Sequence, residues 1–431
     1  MISSPYKLTA AQVLELFKAD VITVESFACS LLDRIHKRDS IPTSDPSFVL
    51  SQARGLDNIP KNQRGPLHGL AIGVKDVMNT KDMPTQYGSL IYQGHGPSSD
   101  ASAVAILRAA GALIFGKTTT TGFTLTNAGP KTTNPHDPNR TPGGSSCGSA
   151  AATGGSIVRP ASFTAVFAMK PTFNAISPEG CKSIAPTFDT FGFFARSIED
   201  LQLLAGIFGL LDDGAPYNIP LEEVSVTLMK TPMWSLAGPG TISAMSEAVK
   251  ILRDNGINAG DVCFPPELAN ADSLMRIQKA ITYGEVQASF LREYRLGKAN
   301  LATEIREIVE NTSNCTRSEW IEDFDRYAGM RHIMNKLATN YTVILTPSAV
   351  DEAPIGLHDM GSASFNTIGF LANLDQGFHM PVINVPEFVG THGMPVGLSF
   401  VGPRFCDQQL LKTCKALSEV LVLGGGSKVR K

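Results

Sequence analysis

The chain has 431 residues, of which 43% are hydrophobic and 18% are charged, and its formal net charge is −3. This composition predicts a globular protein with a substantial core, and the lack of a basic run argues against nucleic-acid binding. The seven cysteines include no C-x-x-C pair, which argues against a disulfide framework and a zinc site. No secretory leader pattern opens the chain, and no apolar run approaches the ~18 residues of a membrane span. We therefore expect a cytoplasmic protein with no membrane span, no metal and no cofactor.

Residues 1–60 are predicted to form an N-terminal helical segment, and residues 61–431 the main domain. Thr9 and Gln12 form a capping box ahead of one amphipathic helix, and Thr23 caps the next. Each cap precedes apolar residues at helical spacing. The segment is therefore predicted to place two amphipathic helices ahead of the main domain.

Short apolar runs alternate with helical periods from residue 65 onward. Residues 70–74 are predicted to form a buried strand, followed by a helix that Asp100 caps and Gly111 ends, and by a strand at 112–115. This alternation favours an α/β fold with a largely buried sheet.

The second half of the chain continues the same alternation. Ser197 with Asp200 caps another helix, and residues 246–338 are charged and mostly helical. A strand is predicted at 343–348, and two more within 382–402. No internal repeat or convincing linker divides the chain, so one large domain with helices on both faces of a sheet is expected.

Residues 111–118, GALIFGKT, match the phosphate-binding pattern G-x-x-x-x-G-K-[ST]. That motif needs a strand before it, a loop of backbone N–H groups and a helix after it. Here a predicted helix precedes the motif, and its middle residues are an apolar strand. A P-loop nucleotide hydrolase is therefore a remote alternative, and Lys117 is interpreted as a surface or strand-end cation.

Residues 141–160, TPGGSSCGSAAATGGSIVRP, contain two Gly-Gly-Ser turns. Glycines allow the main chain to approach a substrate closely, and successive N–H groups in such a turn can stabilise an oxyanion. On composition alone, a Gly/Ser-rich loop without chemistry is an equally good interpretation.

This run, together with LHGLAIGVKDVMNTKDMPT, FAMKPT, DTFGFFARSIEDL and GMPVGLSFVGPRFCDQQLL, resembles the core of the amidase signature family. The resemblance covers most of the chain from Gly65. It is specific, because several motifs occur in the family's order, and it is closest to fungal-type amidases. It implies a single large α/β domain with a mixed, mostly buried β-sheet sandwiched by helices. The N-terminal helices would then pack on the outside.

The resemblance also implies a Ser-Ser-Lys triad. The nucleophile in that family follows the second Gly-Gly turn, which is Ser156 here. Ser145 would be the proton relay, and Lys75, the Lys of V-K-D, the base. A serine hydroxyl is a weak nucleophile until a base takes its proton. A lysine can be that base only where burial lowers its pKa by several units.

The remaining site residues follow from the same resemblance. Backbone N–H groups of Thr153, Gly154 and Gly155, with that of the nucleophile, would stabilise the oxyanion. Ser146 has a supporting role beside the relay, and Arg159 a mainly structural one. Three histidines and two cysteines that compete for catalytic roles are interpreted as structural: His68, His136, His379, Cys147 and Cys181.

One departure from the family is large. Ser145 and Ser156 are only 11 residues apart, whereas family members have a longer segment that supplies an apolar strand between them. This indicates an internal deletion between Ala152 and Thr153. Removal of a buried strand leaves unpaired backbone groups and a void, at a cost of roughly several kcal/mol.

Three functions stay open at this level. The first is an amidohydrolase that cleaves a carboxamide C–N bond to an acid and ammonia or an amine through an acyl-enzyme. The second is a catalytically impaired amidase-fold protein or a mis-spliced gene product, and the third is the P-loop hydrolase. The expected partner is a small-molecule amide of unspecified acyl group. A homodimer is left open, and no positive sequence signal favours an amidotransferase subunit.

Overall fold

The computed structural model describes residues 5–38, 45–126, 129–152, 157–357 and 378–424. The strands in these ranges are β1 (Ala71–Lys75), β2 (Leu113–Thr118), β3 (Phe167–Lys170), β4 (Phe193–Ala195), β5 (Ser225–Met229), β6 (Asn258–Val262), β7 (Val343–Pro347), β8 (Val382–Val389) and β9 (Pro395–Val401). The α-helices there are α1 (Ala10–Lys18), α2 (Val24–Arg38), α3 (Pro46–Asp57), α4 (Ser102–Ala109), α5 (Cys147–Ala152), α6 (Val158–Thr164), α7 (Ile198–Ile207), α8 (Pro239–Asp254), α9 (Ala271–Ser289), α10 (Leu291–Gly297), α11 (Thr303–Val309), α12 (Arg317–Ala338) and α13 (Asp407–Leu423).

The strands form two sheets. Seven of them form a mixed sheet in the order β4-β3-β8-β9-β7-β5-β6, in which β7, β5 and β6 are parallel and the other neighbours antiparallel. The other two, β1 and β2, pair in parallel as a separate sheet. The predicted α/β fold with a mixed, buried sheet is confirmed. Its division into two sheets was not predicted.

Helices cover both faces of the seven-stranded sheet. Successive residues of each strand point to opposite faces, so each strand contributes side chains to both helical layers. On β7, Ile344 packs in the apolar core beneath α9 and α12, and Leu345 packs in the core beneath α7, α8 and α13. Both side chains are fully buried. The sheet is thus the middle layer of a helix–sheet–helix sandwich, as predicted.

The N-terminal helices pack over the two-stranded sheet. Phe17 of α1 and Phe27 of α2 meet edge to face, with ring centroids 5.7 Å apart, and share a core with Ile114 of β2. The boundary at residue 60 remains a prediction.

Several predicted elements are confirmed. Thr9 and Gln12 form the capping box of α1, Thr23 Oγ1 accepts from the backbone N–H of Ser26 at 3.0 Å, and Ser197 caps α7. The strands expected near 70–74, 112–115, 343–348 and 382–402 are present. Four strands were not predicted: β3, β4, β5 and β6. The sequence of β6, NAGDV, lies inside a charged and mostly helical stretch.

The predicted cap at Asp100 is wrong. The residue before α4 is Ala101, and no side chain caps that helix. Asp100 instead accepts a hydrogen bond from the backbone N–H of Lys81 at 2.9 Å and pairs with Arg108 at 3.1 Å. A long-range contact therefore replaces the local cap. The predicted end at Gly111 is confirmed by its positive φ of 92°.

Candidate active site

Lys75 is the last residue of β1, and its side chain meets Ser145 from the first Gly-Gly-Ser turn. Lys75 Nζ lies 3.0 Å from Ser145 Oγ, although 70 residues separate the two in the chain. Ser145 is only 9% exposed. A lysine amine and a serine hydroxyl at this distance can exchange a proton directly.

Burial lowers the pKa of Lys75 from 10.5 to about 8, and nearby acidic groups, among them Asp189, oppose this shift. The Lys75 residue is partly exposed to a cavity, but its amine is surrounded by protein. With a pKa of about 8, roughly a tenth of the Lys75 amines are neutral at pH 7. Lys75 therefore has the neutral fraction near neutral pH that its predicted role as a base requires.

The Ser145 carbonyl fixes the first serine turn against the segment that follows β2. It accepts hydrogen bonds from Thr120 Oγ1 at 2.8 Å and from the backbone N–H of Thr121 at 3.0 Å. The peptide bond between Gly144 and Ser145 is cis. Arg159, which is 7% exposed, donates from its guanidinium to the Gly144 carbonyl. These bonds set where Ser145 Oγ stands relative to Lys75.

Helix α5 begins immediately after this turn and packs against β2. The backbone N–H of Gly148 donates to the Thr119 carbonyl at 3.0 Å, and a Cβ at Gly148 would lie 2.3 Å from the Thr119 backbone nitrogen. Only glycine permits so close an approach. Ser146 is fully buried, and its Oγ has no hydrogen-bond partner within the described ranges.

Four of the eight predicted site residues lie outside the described ranges: Thr153, Gly154, Gly155 and Ser156. The structure locates the other four, Lys75, Ser145, Ser146 and Arg159. It brings Lys75 to Ser145 and Arg159 to the Ser145 turn. The roles of all eight remain predictions.

Lys117 corrects one interpretation from the sequence. It lies at the end of β2, but it is buried, not a surface cation: Nζ donates to the Met78 carbonyl at 2.6 Å and to Thr85 Oγ1 at 2.7 Å, with Asp76 3.6 Å away. Burial lowers its pKa to about 8, and Asp76 opposes the shift. Because residues 113–118 are strand and follow a helix, the backbone cradle of a P-loop does not form.

A second ionisable group near Lys75 was not singled out from the sequence. The Asp189 carboxylate accepts from Ser183 Oγ at 3.0 Å and from the backbone N–H of Ile184 at 2.7 Å. Burial nevertheless raises its pKa to about 6. Its position in DTFGFFARS was quoted only for resemblance, and a single sequence gives no sign that this aspartate is buried.

The competing histidines and thiols have structural surroundings. His136 Nε2 and His379 Nε2 contact the carbonyls of Thr164 and Thr187 at 3.2 and 2.8 Å, and burial lowers the pKa of His379 to about 4. His68 packs edge to face on Phe17. Burial raises the pKa of both thiols, that of Cys181 to about 11, so neither is a thiolate near neutral pH: Cys147 and Cys181.

A cavity of about 1960 Å³ lies between the two sheets. Lys75, Ser145 and Asp189 line it, together with all of β1 and β4 and parts of the N-terminal helices. We call this space the inter-sheet cavity. It exceeds the ~300–1,000 Å³ typical of small-molecule sites.

The family follows from one comparison. A family model described as Amidase matches residues 26–411. The chain belongs to the Amidase family. Amidase family relatives cleave amide C–N bonds through an acyl-enzyme, and this chain is an enzyme of that reaction class. The predicted family and reaction class are therefore confirmed.

Two curated relatives and one solved structure illustrate the match. The A subunit of glutamyl-tRNA(Gln) amidotransferase from Symbiobacterium thermophilum is 28% identical, over 96% of this chain and 96% of that protein. The chloroplastic/mitochondrial A subunit from Zea mays is 28% identical, over 84% of this chain and 78% of that protein. A crystal structure of an amidase superposes with a TM-score of 0.81 at 23% identity, over 96% and 99% of the two chains, which shows the shared fold.

The relatives also contain segments that this Amidase family chain lacks. The alignment with the Symbiobacterium thermophilum subunit spans 484 positions, whereas the whole chain has 431 residues. Because the first number exceeds the second by 53, at least that many positions have no counterpart here.

Within the described ranges, no helix has the length and apolar character of a membrane span. No three His, Cys, Asp or Glu side chains in them gather as a metal site requires.

Proposed function

We propose that this protein hydrolyses a carboxamide C–N bond with Ser156 as nucleophile, Ser145 as relay and Lys75 as base. The observation that carries the proposal is the 3.0 Å contact between Lys75 Nζ and Ser145 Oγ, with burial lowering the pKa of Lys75 to about 8. A buried neutral amine beside a serine hydroxyl is the element of an activated serine that the described residues supply.

In the proposed first step, Ser156 Oγ attacks the amide carbon while its proton passes to Ser145 and the Ser145 proton passes to Lys75. Lys75 then returns a proton through Ser145 to the leaving nitrogen, and the C–N bond breaks. Water attacks the acyl-enzyme by the same relay, which releases the acid and restores Ser156. Each cycle consumes one amide and one water and releases one acid and one ammonia or amine.

The supporting residues act through position and charge. Backbone N–H groups of Thr153, Gly154 and Gly155 are proposed to bind the oxyanion, a contribution typically worth ~3–4 kcal/mol per donor. Arg159 holds the Gly144 carbonyl and so positions Ser145. Ser146 is proposed to support the relay from its buried place beside Ser145.

The nucleophile is tested by covalent labelling. A fluorophosphonate should attach to Ser156, and peptide mass spectrometry should find the adduct there. Ser156→Ala should abolish labelling and turnover while retaining the melting temperature. Ser177→Ala, a change in the loop between β3 and β4, is the matched control and should label normally. An adduct on another residue of the folded protein would exclude the assignment.

Glutamine is a second candidate substrate, because the relatives reported above are A subunits of an amidotransferase. A glutaminase activity would release ammonia from glutamine, whereas a simple amidase would turn over an aryl amide without a partner protein. Ammonia release from the isolated chain with each substrate separates the two. Turnover of glutamine but not of the aryl amide would favour the amidotransferase assignment.

The environment of the enzyme is proposed from the sequence. We propose a small-molecule amide substrate, no nucleic acid, and a cytoplasmic location, with the homodimer left open; the Zea mays relative is described as chloroplastic/mitochondrial. Cell fractionation and light scattering test these points. Residues 1–60 are proposed to act as a helical segment on the outside of the 61–431 domain.

A further inference from the structure

A second, smaller cavity of about 290 Å³ lies beyond the end of β1 that is opposite Lys75. Its wall consists of the last turns of α1 and of residues 61–68, which lead into β1. We call this space the α1 pocket. At ~3.3 Å per residue, β1 alone separates it from Lys75 by about 13 Å. None of its lining residues lines the inter-sheet cavity, so the α1 pocket is a separate site.

One wall of the α1 pocket is apolar. Leu14 and Phe17 of α1 form it together with Pro66. Leu14 and Phe17 also belong to the core that packs on β2, which fixes this wall in place. A cavity of ~150 Å³ is enough to bind benzene. The α1 pocket has about twice that volume and therefore has room for an aromatic ring with a short substituent.

The facing wall is cationic, because Lys61 and Arg64 line it and no acidic side chain does. Both cations share one carboxylate, that of Asp20. Arg64 donates from Nη1 to the Phe17 carbonyl at 3.3 Å and from Nε to the Ile59 carbonyl at 3.2 Å. Among the described residues, these bonds leave Nη2 of Arg64 for a ligand. The Lys61 side chain is 63% exposed, so the pocket opens to solvent beside it.

His68 adds a polar group that lacks a partner. The residue lines the pocket and is 5% exposed, and its buried Nδ1 makes no hydrogen bond within the described part of the chain. Burial and the Arg64 charge lower the pKa of His68, so the ring is neutral near pH 7 and carries one N–H. The nearby Asp57 carboxylate instead accepts from the backbone N–H groups of Val24 at 2.7 Å and Glu25 at 3.0 Å. Because buried polar groups nearly always have a partner, the unpaired nitrogen indicates a ligand.

We propose that the α1 pocket binds a small aryl carboxylate, with its ring against Leu14 and Phe17 and its carboxylate between Lys61 and Arg64. A guanidinium and a carboxylate form charge-assisted hydrogen bonds of matching geometry. The His68 ring turns about its Cβ–Cγ bond to donate its N–H to the same carboxylate. An inorganic anion would satisfy the cations and leave the apolar wall uncovered. The combination of the two walls therefore favours an acid with an aromatic body.

Binding of benzoate, measured by ligand-observed NMR titration, tests the proposal. The unmodified chain should bind benzoate with a Kd that rises about tenfold in Arg64→Gln and about threefold in Lys61→Gln. His68→Phe retains a ring against Phe17 but removes the N–H, and it should weaken binding severalfold. Lys75→Met, a change in the inter-sheet cavity, is the matched control and should leave this Kd unchanged.

Two probes divide the ligand into its parts. Benzyl alcohol has the ring without the charge, and inorganic phosphate has the charge without the ring. Each should bind at least about tenfold more weakly than benzoate, because each uses only one wall of the α1 pocket.

Three results would overturn the proposal. Benzoate without saturable binding would exclude the site, and phosphate binding as tight as that of benzoate would exclude the aryl acid. A Kd that rises in Lys75→Met and stays constant in Arg64→Gln would place benzoate in the inter-sheet cavity. Lys61→Gln and His68→Phe decide the same question if Arg64→Gln does not fold. Labelling of Ser156 has no part in these outcomes, because the α1 pocket does not depend on the proposed function.

Discussion

The burial of Lys75 has a stability cost as well as the catalytic advantage proposed above. The lowered pKa supplies a neutral amine, but at pH 7 most Lys75 amines are protonated and placed in surroundings that disfavour the charge. The unfolded chain has no such penalty. Lys75 is therefore expected to reduce the free energy of unfolding.

Lys75→Met should lower kcat/KM by about 10²–10⁴-fold and at the same time stabilise the protein by ~1–3 kcal/mol at pH 7. The gain is present below pH 8 and declines toward pH 10.5, since between the folded and unfolded pKa values only the unfolded chain binds the proton. Urea unfolding at pH 7 and pH 10.5 measures it. Lys18→Met, at an exposed lysine, should change neither property. A destabilised Lys75→Met would show that the ammonium has a structural role.

The pH profile identifies which buried group titrates. With Lys75 as base, log kcat/KM should rise with unit slope and level off near pH 8, because the amine must lose its proton. Asp189, whose pKa is raised to about 6, would place the limb lower. Asp189→Asn should therefore retain the limb of Lys75 and move it below pH 8, because the Asp189 charge raises the pKa of Lys75. A limb near pH 6 that disappears in Asp189→Asn would transfer the role of base to that carboxylate.

Among individual residues, the pair Lys75 and Ser145 was predicted only through family resemblance, because no local pattern links residues 70 positions apart. Lys117 was interpreted as a surface or strand-end cation, and only its position at the end of a strand is correct, because the side chain is buried. A lysine after an apolar strand usually reaches solvent, and nothing local shows that residues 78–85 fold back over it. Burial of a polar group depends on such long-range packing.

Among the elements, α5 shows how little space separates the first serine turn from β2. Gly148→Ala should destabilise the protein by ~1–3 kcal/mol, because its Cβ would lie 2.3 Å from the Thr119 backbone nitrogen. The shift of α5 should also move Ser145 from Lys75 and lower kcat/KM. The matched control is Gly55→Ala in α3, which has nothing within 4 Å and should stabilise by ~0.4–1 kcal/mol. Equal melting temperatures for the two variants would contradict this packing.

Helix caps show which features of the elements can be predicted from sequence. Thr9 with Gln12 and Ser197 were predicted correctly, since each cap lies within three residues of its partner. Asp100 was not, because an aspartate before a helix can equally pair with a distant cation. Asp200 was seen only as part of its own helix start, and its side chain serves a different helix.

For the whole molecule, Asp200 joins the N-terminal helices to the main domain. Its carboxylate, 2% exposed, accepts hydrogen bonds from the backbone N–H groups of Ala10 at 3.0 Å and Ala11 at 2.9 Å, at the start of α1. Asp200→Ala should cost ~1–3 kcal/mol and expose α1 to proteases, whereas Glu15→Gln, at an exposed ion pair, should not. Limited proteolysis with N-terminal sequencing measures this. An unchanged cleavage rate at α1 would mean that apolar packing alone holds the helix.

The class of the fold was predictable because the alternation of strands and helices is a local property of the chain. The separation of β1 and β2 from the other strands was not, since it depends on which edges meet in space. The missing strand inferred from the short distance between Ser145 and Ser156 remains a prediction, because it rests on family resemblance.

The order of the strands along the chain also bears on how the protein can be divided. Both strands of the small sheet and the helices α1–α5 precede position 153, and all seven strands of the large sheet follow position 156. Two polypeptides separated between positions 152 and 157 would each contain one of the two sheets described above, and Lys75 and Ser145 would remain together on the first. Their reassociation would restore the enzyme from fragments, against an entropic cost of ~4–15 kcal/mol that the intact chain avoids.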